Sequence, residues 1–305
     1  MNSAATVLQK HTYTLGRSLY IPLTCRCNSI PLPVTRGPGF LLPKSVSDAL
    51  MSVRHVECGE AILYGDEEDR VTMPDYPKKW LVDCLYNNAD QQSLGENNDK
   101  MDGKYVVDDR ILPSISTLTD ESISLIKSTP SLDQIVLAGE GEPTLRMDAL
   151  LSISHQIQSH RRSNNESELP IRLITNGLVY TIPNFGYSPY NRHRGIPLHR
   201  HTVLRDMMEV GISRISVALN TSNRHEYDIL MKPSCYTNHD TLPGTAHDLI
   251  CEFILEAAKL GIDVEITGID RPDVDKRETD RLARMLLSVA EVEKRSNVRW
   301  RKYFE

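Results

Sequence analysis

IVLAGEGEPTLRMDALL, residues 135–151, holds a complete strand–turn–helix unit. QIVLA (134–138) is a short apolar run of strand type. MDALLSISHQIQ (147–158) places Met147, Leu150, Leu151 and Ile157 on one helical face. Between them lies Gly139-Glu140-Gly141-Glu142-Pro143. Gly139 and Gly141 let peptide groups approach a ligand closely. Pro143 fixes φ at the helix entrance. Glu142 supplies an anionic group suited to a ligand amine. The same residues also serve as an ordinary βα turn.

The unit recurs along the chain. LYIPL (19–23), IRLIT (171–175), RISVAL (214–219), DVEITG (263–268) and VRWRKY (298–303) read as strands. Helical periods cover VLRDMMEV (203–210), HDLICEFILEAAKL (247–260) and ETDRLARMLLSVA (278–290). Thr119 is placed to cap a further short helix, with Asp120 and Glu121 in its first turn. Gly261 sits where the helix 247–260 needs a C-terminal glycine. This alternation predicts an α/β fold with a parallel sheet, either doubly wound or a barrel. Residues 1–305 read as a single domain with a polar insertion at about 55–110 and loop insertions at 180–200 and 235–245.

In either fold the chemistry collects at the C-terminal strand ends. Asn176-Gly177 follows the strand at 171–175 and is a turn signal. Ser216, Ala218 and Asn220 share one face of the strand at 214–219, inward in a barrel. Buried polar groups there need partners in the protein or in a ligand. LTCRCNSIPLPVTRGPGF (23–40) follows the first strand. Cys25 and Cys27 share a face if the strand continues through them, and two thiolates begin a metal site without completing it.

Bulk properties bound the function. With 35 basic and 41 acidic residues the net charge is −6, which argues against chain-wide nucleic-acid or membrane binding. No apolar run approaches the roughly 18 residues that span a bilayer. The six cysteines, at 25, 27, 58, 84, 235 and 251, form no disulfide framework, so a reducing, cytoplasmic setting is expected. Cys251 reads as a core residue. The absence of acids before Asp48 leaves organellar targeting as an alternative, with a leader no longer than the first dozen residues. NFGYSPYNRHRGIPLHRH (184–201) offers Arg192, Arg194 and Arg200 for a phosphate or an RNA segment, and His199 and His201 for a metal. A solvated loop accounts for the same stretch.

Taken in order, LYIPLTCRCN, IVLAGEGEPTLRMDALL, IRLITNG, RISVALNTSNRHEYDILMKP, GIDVEIT and VRWRKY resemble the radical S-adenosylmethionine (SAM) superfamily, nearest its TatD-linked proteins. The resemblance covers most of the chain outside the insertions. It implies a partial (βα)6 barrel of TIM type. It also implies a [4Fe–4S] cluster on a CxxxCxxC loop after the first strand, SAM on the open iron, and a 5′-deoxyadenosyl radical. By resemblance, Gly139, Gly141, Glu142 and Pro143 hold the SAM amino group, and Ser216 and Asn220 touch its ribose or carboxylate. Asn176 at the next strand end joins this candidate SAM-binding set. Cys27 falls on the first motif cysteine, with Cys25 an extra thiol beside it. The other two motif positions fall on Pro31 and Val34, which cannot ligate iron. The expectation is therefore a SAM-like or nucleotide pocket for a small-molecule ligand, without the cluster. An active enzyme ligating iron through Cys25, Cys27 and a distant thiol or histidine is the alternative. The family name suggests a TatD-type nuclease as a partner by association.

Overall fold

A computed structural model describes residues 10–25, 27, 29–58, 113–179, 200–233, 244–288 and 298–305. A hairpin of β1 (Tyr13–Leu15) and β2 (Ser18–Ile21) opens the described chain. Then follow α1 (Leu32–Thr35), α2 (Lys44–Cys58), α3 (Ile115–Ser128), β3 (Gln134–Leu137), a 3-10 turn (Pro143–Arg146) and α4 (Met147–Ser163). The remainder comprises β4 (Ile171–Thr175), α5 (Arg200–Glu209), β5 (Ile212–Ala218), α6 (Arg224–Met231), α7 (Ala246–Lys259), β6 (Asp263–Asp270), α8 (Lys276–Ser288) and β7 (Arg299–Lys302).

The seven strands form one curled, half-barrel sheet in strict chain order. β1 is antiparallel to β2, and every later neighbour is parallel. A doubly wound sheet reverses its strand order at a switch point. This order never reverses, so each new strand adds on the same side and the sheet curls. The convex side carries Leu19, Ile21, Ile135, Leu137, Ile171 and Leu173, all buried in the core with α3, α4 and α7. The concave side carries Tyr20, Val136, Arg172, Ile174, Ser216 and Glu265, as the register and the alternation of buried residues require.

Several boundaries differ from the sequence reading for identifiable reasons. The first strand stops at Ile21 because Pro22 has no N–H to continue the ladder. Cys25 therefore lies in a bend, and strand alternation does not reach Cys25 and Cys27. Thr119 is not a cap: it is 4% exposed inside α3. Ser114 caps that helix instead, its Oγ accepting from Thr117 N at 3.0 Å. Gly261, at φ +83°, follows α7 as expected. The hairpin strand β1 and helices α1, α2 and α6 add to the elements read from periodicity. The stretches at 59–112, 180–199 and 234–243, which hold nearly all of the expected insertions, lie outside the described residues.

Candidate functional site

The C-terminal ends of β3 and β4 meet at a mouth organised by Glu142. Glu142 is 3% exposed and caps the 3-10 turn. Its Oε1 accepts from Thr144 N (3.2 Å), Thr144 Oγ1 (2.7 Å) and Thr175 Oγ1 (2.7 Å). Its Oε2 accepts from Asn176 N at 2.7 Å. The carboxylate thus joins the β3 turn to the end of β4. Burial raises its pKa above 4.5, and the four donors pull the other way without overcoming it. An ionised carboxylate has about four acceptor directions. Oε1 is saturated, whereas Oε2 keeps one direction for another donor.

Asn176 extends the junction to the cysteine loop. Its Nδ2 donates to Ser29 Oγ at 3.0 Å and lies 3.9 Å from Cys27 Sγ. Its Oδ1 accepts from Leu178 N at 2.9 Å. Cys27, Ser29, Gly139, Gly141, Glu142 and Asn176 line one crevice. Its free space of about 10 Å³ matches one water molecule. Gly139 has a second role unforeseen from sequence: an added Cβ would lie 2.7 Å from Pro22 Cβ, so glycine lets the turn pack against the first strand's end. Pro143 is buried at the start of the 3-10 turn.

A second, larger cleft of about 210 Å³ adjoins the first. Ile30 and Met231 line both, and their backbones are joined by an Ile30 N to Met231 O bond of 2.8 Å. Asn220 lines the larger cleft with φ +62°, a left-handed conformation costly for a residue other than glycine. Asn220 N and Leu219 N both donate to Thr267 O, at 3.3 and 3.0 Å, which enforces that turn. Its Nδ2 points at Met231 Sδ, 3.0 Å away. Its Oδ1 is buried without a partner among the described residues. A strained residue with an orphan acceptor on a cleft wall is prepared for a ligand donor.

Ser216 sits deeper on the concave face, away from both cavities. Its Oγ accepts from Arg172 Nε at 2.8 Å and donates to Glu265 Oε2 at 2.9 Å. Arg172 and Glu265 form a close ion pair beside it. Burial alone would raise the Glu265 pKa, but Arg172, Ser216 and Arg299 hold it below the usual value.

Two supporting side chains carried no local sequence signal. Arg146 is 6% exposed, and its Nη1 donates to Leu23 O and Pro113 O, both at 3.0 Å. It ties the Gly139–Pro143 turn to the cysteine loop. His247 is 4% exposed, its ring 3.0 Å from Thr221 O and edge-on to Tyr227. Burial lowers its pKa below 6.5. Only the partners of these residues reveal them, and those lie far away in sequence.

Among the described residues the thiols do not gather as a three-thiolate set. Of the described cysteines, Cys27 reaches the crevice, while Cys25 is buried outside its lining. Pro31 immediately precedes α1, and Val34 is 60% exposed and lines the second cleft. Among the described residues no three His, Cys, Asp or Glu side chains gather as a metal site. The Cys58 side chain, Cys84 and Cys235 lie outside the described residues, as do Arg192, Arg194 and His199. His201 pairs with Glu256 at 2.8 Å. Cys251 is half-buried against the core, its thiol pushed up to about 12 by burial. No helix among the described residues is long and apolar enough to cross a membrane. Neither family models nor curated proteins match this chain.

Proposed function

We propose that the chain is a partial (βα)6 barrel of the radical SAM type that binds SAM or a related nucleoside but holds no [4Fe–4S] cluster. The observation that carries this reading is the convergence on one mouth of Gly139, Gly141, Glu142, Asn176 and Cys27, with Asn220 on the adjoining wall. The six parallel strands in chain order support the barrel assignment. The side chains at Pro31 and Val34 supply no ligand for iron.

Within this reading, the peptide edges at Gly139 and Gly141 receive the ligand's polar groups. The free acceptor direction on Glu142 Oε2 takes an ammonium. Asn220 Oδ1 takes a hydroxyl or an amine. A cluster supplies the electron that cleaves SAM; without one the chain binds and orients its ligand only. A nucleoside needs a pocket of about 300 Å³ or more. The crevice and the cleft together fall short of that, so they act as one site that must widen further when the contact between Ile30 and Met231 parts.

Titration with SAM, S-adenosylhomocysteine and 5′-methylthioadenosine, read by calorimetry and thermal shift, tests the ligand. Iron and sulfide content after anaerobic reconstitution of wild type and Cys27→Ala tests the cluster. Saturable nucleoside binding with near-zero iron in both proteins is the expected result. No binding by any of the three compounds ends the nucleoside reading. Stoichiometric iron that is lost in Cys27→Ala favours the active enzyme instead.

A further inference from the structure

Arginines collect where β7 meets the α1 turn, and one of them differs from the rest. Arg172 and Arg299 share Glu265, the second through Nη1 at 3.4 Å. Arg36 donates from Nε to Lys302 O at 2.7 Å and lies over the rings of Phe40 and Phe304. Arg271 pairs with Asp273 at 2.7 Å. The Arg301 side chain has no hydrogen bond or ion pair among the described residues.

That solitude is unusual for its surroundings. Arg301 is half-buried on the inner strand face. Arg299, Arg172 and Arg36 press on it, and Glu265 pulls the other way. Burial, then these like charges, push its guanidinium down to about 10. A guanidinium has five donors and no acceptor, so dehydrating it without an anion is unfavourable. Its partner in the β6–β7 register is Ile269, and parallel neighbours project to the same side. Ile269 walls the 210 Å³ cleft together with Asn220, whose Oδ1 is also unpartnered. Arg301 is not itself in the lining of that cleft, but it projects on the same side of the sheet as Ile269, next to a wall that carries an acceptor without a donor.

We propose that Arg301, flanked by Arg36 and Arg299, binds an oxyanion, the phosphate or carboxylate group of a small-molecule ligand seated in this cleft. The planar guanidinium fork suits two-point recognition of either group. Asn220 Oδ1 then accepts from a hydroxyl or amine of the same molecule. The cleft and Asn220 are shared with the nucleoside reading, but the oxyanion site itself rests on Arg301 at the β6–β7 wall and not on the Glu142 junction.

Inorganic phosphate and succinate are the probes, each titrated at constant ionic strength with chloride as the balancing salt. Wild type, Arg301→Met, Arg301→Lys and the exposed control Arg277→Gln are compared by thermal shift and calorimetry. Wild type and Arg277→Gln are expected to be stabilised saturably by at least one probe. Arg301→Met is expected to bind about tenfold more weakly or worse, and Arg301→Lys to fall between. In chloride alone Arg301→Met is expected to melt at or above the wild-type temperature, since it loses an unpaired charge. A response to phosphate only, or to succinate only, supports the proposal and names the oxyanion. Equal responses in wild type and Arg301→Met, no response to either probe in wild type, or an unfolded Arg301→Met overturns it. 5′-Methylthioadenosine carries no oxyanion, so its titration reports separately on the nucleoside site.

Discussion

Replacing Glu142 by alanine removes one acceptor from four donors. Two of these, Thr144 N and Asn176 N, are backbone groups held at 3.2 and 2.7 Å, and neither can turn elsewhere. Each orphaned buried donor costs about 1–3 kcal/mol. The adjoining crevice has room for one water, which can satisfy one of them. The net loss is then about 2–4 kcal/mol, most of it from a single unsatisfied N–H and the lost cap. In a chain of this size that lowers the melting temperature by roughly 3–6 °C. Glu142→Gln keeps an oxygen for the two threonines but turns an NH2 group toward Asn176 N, at a cost of about 1–3 kcal/mol. The pH dependence provides an independent check. The folded pKa of Glu142 is raised, so the native state binds the proton more tightly than the unfolded chain. Its contribution is fully present below 4.5 and is lost as pH rises through the folded value. Urea unfolding of wild type and both variants, repeated from the acid range to neutrality, measures this. An alanine variant as stable as wild type refutes the junction. A glutamine variant with the full wild-type pH slope refutes the titration argument.

Other outcomes follow from the same geometry. Arg146→Met strands the carbonyls of Leu23 and Pro113, so it should cost about 2–4 kcal/mol in urea melts and hasten proteolysis near the cysteine loop. Gly139→Ala forces a Cβ against Pro22 and should destabilise by about 1–3 kcal/mol, measurable as a drop in denaturation midpoint. Asn220→Gly relieves the left-handed strain and should raise the melting temperature slightly while weakening ligand binding; a stable variant with unchanged affinity removes Asn220 from the site. His247 has a lowered folded pKa, so its contribution is present above 6.5 and is lost as pH falls through the folded value; His247→Gln should flatten that slope in acid melts.

How much was legible in advance depended on whether the signal was local. The strand IRLIT matches β4 residue for residue, because its apolar run is bounded by turn residues that no distant contact overrides. Helix α7 shifts by one residue, since Thr245 and Asp248 form a capping box just ahead of the apolar period. The Gly139–Pro143 turn was recognised, but the shared face of Ser216 and Asn220 was not realised: β5 ends at Ala218, and Asn220 lies past it at φ +62°, out of reach of strand alternation. Helix α2 was hidden behind the prolines and glycines that precede it. β1 was hidden because three residues carry no measurable period.

The sequence by itself determined the βα order, the position of the candidate mouth and the absence of metal-ligating side chains at Pro31 and Val34. Each of these depends on the identity or spacing of neighbouring residues. Only the tertiary structure decided that the sheet curls rather than doubles back, because strand order is a matter of which edges pair. It also decided that Glu142 binds its own chain, that Ser216 serves Arg172 and Glu265, and that Arg301 is left without an acceptor. A hydrogen bond such as Arg146 to Leu23 spans 123 positions, and no periodicity in the chain encodes a partner at that range. Unsatisfied groups are still less visible in a sequence, because an orphan is defined by every neighbour that packing brings near it.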